Sequence, residues 1–298
     1  MKDDLDQKIR LAAFEWLSKQ LKIYGDVLPR ELLAKGFQFQ SERVPFVAPQ
    51  GIFKPRLMEL PLSITTTPSG PYDDSFDEHG LLSYRYRGTD LNHQDNQGLK
   101  KAMASGTPLV YFHGVVPGKY LAIWPVYIVG DFPDQLMFKV AADDMAFIQR
   151  HHAVNDSDIE PRRAYITATV RQRLHQRGFR ERVLEAYREQ CAFCRLRHLE
   201  LLDAAHIIPD SDPQGTPNIR NGIALCKLHH AAFDANIVGI RPDYVIEIRH
   251  DVLREKDGPM LLHGLQELNK TKIILPSKAS LSPDPILLEK RYSEFKAA

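Results

Sequence analysis

The chain has 298 residues, 43% hydrophobic and 26% charged, long enough for two domains with ordinary cores and unlike a disordered or fibrous protein. No apolar run is long enough to cross a bilayer, and the N-terminus, MKDDLDQKIRLAAFEWL, is acidic from its third residue without the apolar core of an export signal, so a cytoplasmic location is expected. A formal net charge of +1 neither points to nor excludes a polyanionic partner, because basic surface can be confined to one side.

From the N-terminus, Leu5, Ile9, Ala12, Ala13, Leu17 and Leu21 recur at helical spacing, and LPRELLAKGF forms a second amphipathic run after the turn at Gly25. Pro45, Pro49, Gly51 and Pro55 then separate short apolar stretches. Residues 1–55 are therefore expected to form a small helical unit ending in a hairpin, in winged-helix style. Residues 56–150 change texture: LLSYRYRG, PLVYFHGV, LAIWPVYIVG and LMFKVAAD are β-branched and aromatic and bounded by Gly, Pro and Asp, and one helical stretch, NQGLKKAMASG, interrupts them. The economical expectation is a curved sheet or barrel with one helix packed on it. Residues 151–178 form a polar, basic helical linker. Between Pro161 and Arg182, seven arginines (162, 163, 171, 173, 177, 180, 182) face a single acid, Glu181. A solvated helix face would look the same, but the segment that follows favours a helix that tracks phosphates through Arg171, Arg173, Arg177 and Arg180. The whole is an α+β chain.

Residues 179–298 carry the chemistry. Three cysteines, an odd number with no export signal, argue against a disulfide framework. Cys191-Ala-Phe-Cys194 follows the amphipathic run FRERVLEAYREQ, and Cys226-Lys-Leu-His229 supplies a second pair with the same gap. Two such turns can aim four soft donors at one ion, the closed tetrahedron of a structural zinc site. The bland alternative makes Cys226 a buried core thiol. A small element with little core would gain from such an ion, tied between hairpin and helix.

Between the two pairs lies LLDAAHIIPDSDPQGTPNIRNGIALCKLHHAAFD. Asp203-Ala-Ala-His206-Ile-Ile-Pro209, Asn221-Gly-Ile-Ala-Leu-Cys226 and Leu228-His229-His230 with Phe233-Asp234 behind them resemble the HNH, or ββα-metal, nuclease family. The resemblance covers about 70 residues and implies hydrolysis of phosphodiester bonds in DNA. It makes His206 the general base that takes a proton from water, a task its near-neutral pKa suits. It makes His230 a ligand of a catalytic Mg2+ or Mn2+, and Asn221 the residue that pins the loop between the two strands. Asp203 is the expected second ligand, since hard oxygens suit such an ion. Where many members carry His or Asp immediately before the base, this chain has Ala205, which leaves the ligand set open. The competing readings are a buried structural histidine at 206 and a helix or turn cap at Asp234, with Phe233 in the core.

A second resemblance lies upstream. Tyr84-Arg-Tyr-Arg-Gly-Thr-Asp90, Asn96-Gln-Gly-Leu-Lys-Lys-Ala and Thr107-Pro-Leu-Val-Tyr-Phe are similar to PUA-like domains of the SRA type, which flip a modified base into an aromatic-lined pocket. It implies Tyr84, Tyr86, Asp90, Tyr111 and Trp124 as pocket residues, with Phe112, Tyr120, Asn96 and His113 as further candidates. A reader followed by an HNH nuclease resembles modification-dependent, type IV restriction endonucleases. The expected partner is double-stranded DNA carrying a modified base, and a homodimer would let one site per chain cut both strands. The alternatives are a nuclease directed by ordinary sequence, and a DNA-binding protein with a decayed nuclease fold; the retained His206, Asn221 and His230 argue against the latter.

Overall fold

A computed structural model of the chain describes residues 2–67, 81–142, 159–210, 212, 215–256 and 258–298; for 2, 3, 159–166, 168 and 171–173 it describes the backbone alone. The described chain falls into two compact units, Met1–Leu174 and His175–Ala298. No helix among the described residues is long and apolar enough to cross a membrane.

In the first unit α1 (Lys2–Tyr24), β1 (Val27–Pro29), α2 (Arg30–Lys35) and the hairpin β2 (Phe37–Phe39) and β3 (Glu42–Val44) precede β4 (Ile52–Phe53), β5 (Ser63–Thr66) and β6 (Leu82–Arg85). Then come α3 (Gln94–Ala104), β7 (Leu109–Val116), β8 (Lys119–Phe132) and β9 (Met137–Ala142). The main sheet has seven strands in the order β4-β5-β7-β8-β9-β6, with β1 added alongside β8. All pairings are antiparallel except β5 with β7. The β7–β8 hairpin turns at Gly118, whose φ of +77° is cheap only for a residue without a Cβ.

Strand periodicity decides where the cores lie. Along β7, Leu109 and Tyr111 enter a cluster with Tyr84, Tyr86, Leu99 of α3 and Phe138. Val110 and Phe112 point the other way, into a cluster with Ile9, Phe14 and Leu17 of α1, Leu33 of α2 and Phe46. Trp16 stacks on Phe46 with ring centroids 5.1 Å apart, and Phe46 meets Phe112 edge-on at 5.8 Å. Residues on both sides of position 55 thus share one core. Buried Arg10 donates to the Pro108 carbonyl at 2.9 Å, tying α1 to the strand that follows.

The second unit has no comparable sheet. Helix α4 (Ile159–Ala186) leads to β10 (Leu202–His206) and β11 (Gly222–Cys226), then α5 (Lys227–Asp234), β12 (Val238–Ile240), β13 (Ile246–Ile248), α6 (His250–Arg254), α7 (Pro259–Gly264) and α8 (Pro285–Ala297). Its β10–β11 and β12–β13 pairs are two-stranded ribbons, marginal on their own. They are covered by Phe179 and Val183 of α4, Tyr187 just after it, Phe233 of α5 and Leu288 of α8. Gly222 permits a close approach: a Cβ there would lie 2.4 Å from a Val183 methyl and 2.7 Å from the Phe179 ring.

Candidate active site and metal cluster

The tight turn after α4 and the start of α5 bring four donors together. Among the described residues, Cys191, Cys194, Cys226 and His229 form a metal-competent group whose ligand atoms all lie within 4.8 Å of one another. His229 Nδ1 is 3.3 Å from Cys191 Sγ and 3.2 Å from Cys226 Sγ, and the Cys194 and Cys226 sulfurs are 4.0 Å apart. A tetrahedron of sulfurs at about 2.3 Å from an ion has edges of about 3.7 Å, so the donors already stand at coordination spacing. No cysteine is in a disulfide. His229 Nε2 is 2.7 Å from the Gly264 carbonyl at the end of α7. Donating its proton there leaves Nδ1 free to ligate, the outer-shell contact expected of a metal-binding imidazole. Hydrogen bonds from Cys191 and then Cys194 hold the Cys226 thiol far below its ordinary pKa, the ionised form a metal needs.

On the neighbouring residue of α5 the surroundings change. His230 Nδ1 lies 3.4 Å from Asp203 Oδ2, and its Nε2 lies 3.3 Å from Asp234 Oδ2, one turn further along the helix. Two donors held at about 2.1 Å around one divalent ion are separated by about 3.0–3.4 Å, so either oxygen–nitrogen pair fits. The two carboxylates address opposite edges of one ring, and an ion can take one edge only. The Asp203 contact raises the His230 pKa, and His230 in turn lowers that of Asp203.

His206 ends β10 and lies flat on Phe179, with centroids 4.0 Å apart and planes 14° from parallel. Burial lowers its pKa, which favours the neutral ring that a base must present. Asn221 is fully buried and fixes the connection behind it. Its Oδ1 accepts from the Ile208 N–H, and its Nδ2 donates to the carbonyls of Ile208 and Thr216, all at 2.9–3.1 Å. The side chain replaces a missing strand partner for the loop leaving His206.

Residues 191–241 match the family model described as HNH endonuclease. The chain carries an HNH endonuclease domain. No curated protein matches the chain significantly. Among solved structures it is similar to one described as the modification dependent TagI restriction endonuclease, at 15% identity and a TM-score of 0.28, over 79% of this chain and 81% of that one. It is also similar to the type IV phosphorothioation-dependent restriction endonuclease ScoMcrA, at 14% identity and a TM-score of 0.20, over 79% of this chain and 54% of that one. Superpositions this loose carry no argument about what the HNH-bearing chain recognises.

Outside the HNH domain the expected residues scatter. Arg171 and Arg173 lie outside the residues whose side chains are described, as do Arg162 and Arg163. Arg177 is exposed. Arg180, expected on phosphate, instead donates to the carbonyls of Leu199 and Leu202 and pairs with Glu181, so it clamps the entry to β10. The five expected pocket residues do not share a cavity. Tyr84 and Tyr86, with Tyr120, line a hollow of about 220 Å³ together with Arg30, Arg85, Arg87, Thr65 and Thr66. Trp124 lines a separate apolar cavity with Leu21 and Leu121. Tyr111 is a core ring whose hydroxyl is 2.9 Å from His113 Nδ1. Asp90 and Asn96 serve the turn before α3: Asn96 bonds the Arg87 N–H and the Asp90 carbonyl, and Asp90 accepts from the Asn92 N–H. Phe112 is buried in the core. Sequence reasoning assigned Asp234 to capping; its i, i+4 spacing from His230 was the available sign of a second partner for that ring.

Proposed function

We propose that the HNH domain hydrolyses phosphodiester bonds in double-stranded DNA, with His206 as general base and a divalent-metal site at Asp203 and His230. The observation that carries the reading is the meeting, on one ββα element, of a half-buried imidazole stacked on Phe179 and an imidazole flanked by carboxylates. His206 takes a proton from the attacking water. Asp203 and His230 hold Mg2+ or Mn2+, which when bound offsets charge on the phosphate and the leaving 3′ oxygen. Asn221 keeps the loop after His206 from drifting, and Phe179 holds the ring plane. Cys191, Cys194, Cys226 and His229 hold a structural zinc, a role their soft donors and Gly264 contact suit. Arg177, with Arg171 and Arg173, supplies phosphate contacts.

In the same reading, residues 56–150 recruit the enzyme to modified DNA, and residues 1–55 support that reader. What favours this is the Tyr84, Tyr86 and Tyr120 hollow, which has arginines around it and a buried Thr65 hydroxyl without a partner among the described residues. Aromatic walls suit a flipped base, and guanidinium groups suit its flanking phosphates. The activity is that of a cytoplasmic restriction enzyme, with two chains or two visits needed to cut both strands.

The test incubates the purified chain with plasmids that differ only in cytosine modification, in Mg2+ or Mn2+, beside His206→Ala. Cutting of modified plasmid alone, abolished in the variant, is expected. Equal cutting of all plasmids would transfer the assignment to a sequence-directed nuclease, and full activity of His206→Ala would remove the proposed base.

A further inference from the structure

His206 has two ring nitrogens in different surroundings. Its side chain is 23% exposed, yet Nε2 is buried and has no hydrogen-bond partner among the described residues. A nitrogen that water cannot reach cannot take a proton from the attacking water, so the basic atom is Nδ1. A neutral imidazole that accepts at Nδ1 carries its own proton on Nε2, and that buried N–H needs an acceptor. Stacking on Phe179 does not settle the matter: turning the ring over by 180° keeps the stack and exchanges the edges. Something must tell one edge from the other.

Asp210 Oδ1 stands 3.9 Å from Nε2, four residues along the loop that Asn221 pins. Its side chain is 42% exposed, and it has no other side-chain partner among the described residues. We propose that Asp210 is the positioning residue for His206, its carboxylate closing on Nε2–H to select the tautomer with Nδ1 as acceptor. This rests on the reading of His206 as the base. When water gives its proton to Nδ1 and the resulting hydroxide attacks phosphorus, the ring becomes an imidazolium. The Nε2 proton stays on the ring, and the carboxylate remains ionised and offsets the new charge. Asp210 pairs with His206, whereas Asp203 and Asp234 pair with His230, so its part is separate from the metal site.

Imidazole 15N NMR of the histidine-labelled full chain reads the tautomer directly, and steady-state cleavage of the plasmid cut by the wild type reads its consequence. His206 of the wild type should carry its proton on Nε2. Asp210→Ala and Asp210→Asn should mix or reverse the tautomers and lower kcat about 10- to 100-fold, with KM, DNA affinity, zinc content and melting unchanged; Asp210→Glu should recover part of the loss. A wild-type ring protonated on Nδ1 overturns the proposal. So does an Asp210→Ala chain with kcat within twofold of wild type, or one inactive with its tautomer unaltered. His206→Ala separates the two readings. If it still cuts, the base assignment fails and Asp210 falls with it; if it is dead while Asp210→Ala is fully active, the base stands and only Asp210 is wrong.

Discussion

The two units reach order by different physics. The first builds a seven-stranded sheet with apolar clusters on both faces, so its stability is spread over many rings and methyls. The second packs two-stranded ribbons and helices around one apolar cluster and adds four metal-competent donors, so directional groups supplement its burial. Dispersed burial tolerates loss, whereas a cluster of donors fails as a whole. A site that must hold imidazoles and carboxylates within tenths of an ångström gains from the second plan, because donors set directions that apolar packing does not.

The contrast can be broken most forcefully by removing metal. A strong chelator, or Cys191→Ser with Cys226→Ser, should unfold residues 175–298 and leave the first unit folded, since structural zinc contributes about 10–16 kcal/mol to small metal-dependent domains. Limited proteolysis followed by mass spectrometry would read this, and equal protection of both units would remove the distinction. Next in size, His206→Ala should lower cleavage about 100- to 10,000-fold with zinc content and DNA binding unaltered, which gel-shift and elemental analysis would check. The mirror experiment in the sheet is Phe112→Ala, expected to cost the first unit about 3–5 kcal/mol in denaturant titration while the second keeps its metal. Smallest is Asn221→Ala, which strips partners from the Ile208 N–H and from the Ile208 and Thr216 carbonyls; a loss of about 1–3 kcal/mol is expected in the second unit, with a fall in kcat as the His206 loop loosens. No change in either would make the asparagine an ornament of the motif.

What could be read from the sequence follows the same divide. The Cys-x-x-Cys and Cys-x-x-His pairs and the strand carrying His206 were legible, because a metal cluster and a two-stranded ribbon are set by spacing over a few residues. The strands of the first unit were legible too, being dense in aromatic and β-branched residues. Their assembly was not. Nothing in the local pattern says that β5 runs parallel to β7, or that residues before position 55 share a core with Phe112. The grouping of the pocket candidates was hidden for the same reason. Tyr84, Tyr111 and Trp124 look alike in sequence, and only strand register sends Tyr84 to the arginine-lined hollow, Trp124 to the apolar cavity and Tyr111 into the core. Asp210 and Asp234 were missed as partners of His206 and His230 because such roles depend on which edge of a ring a carboxylate meets.

His229 and His230 are successive residues of α5, the first turned to buried sulfurs and the second to solvent-side carboxylates. One peptide unit separates the metal-competent cluster from the imidazole that the carboxylates flank. A shift of the four donors should therefore re-aim the second imidazole as well, since both rings ride on the same short helix.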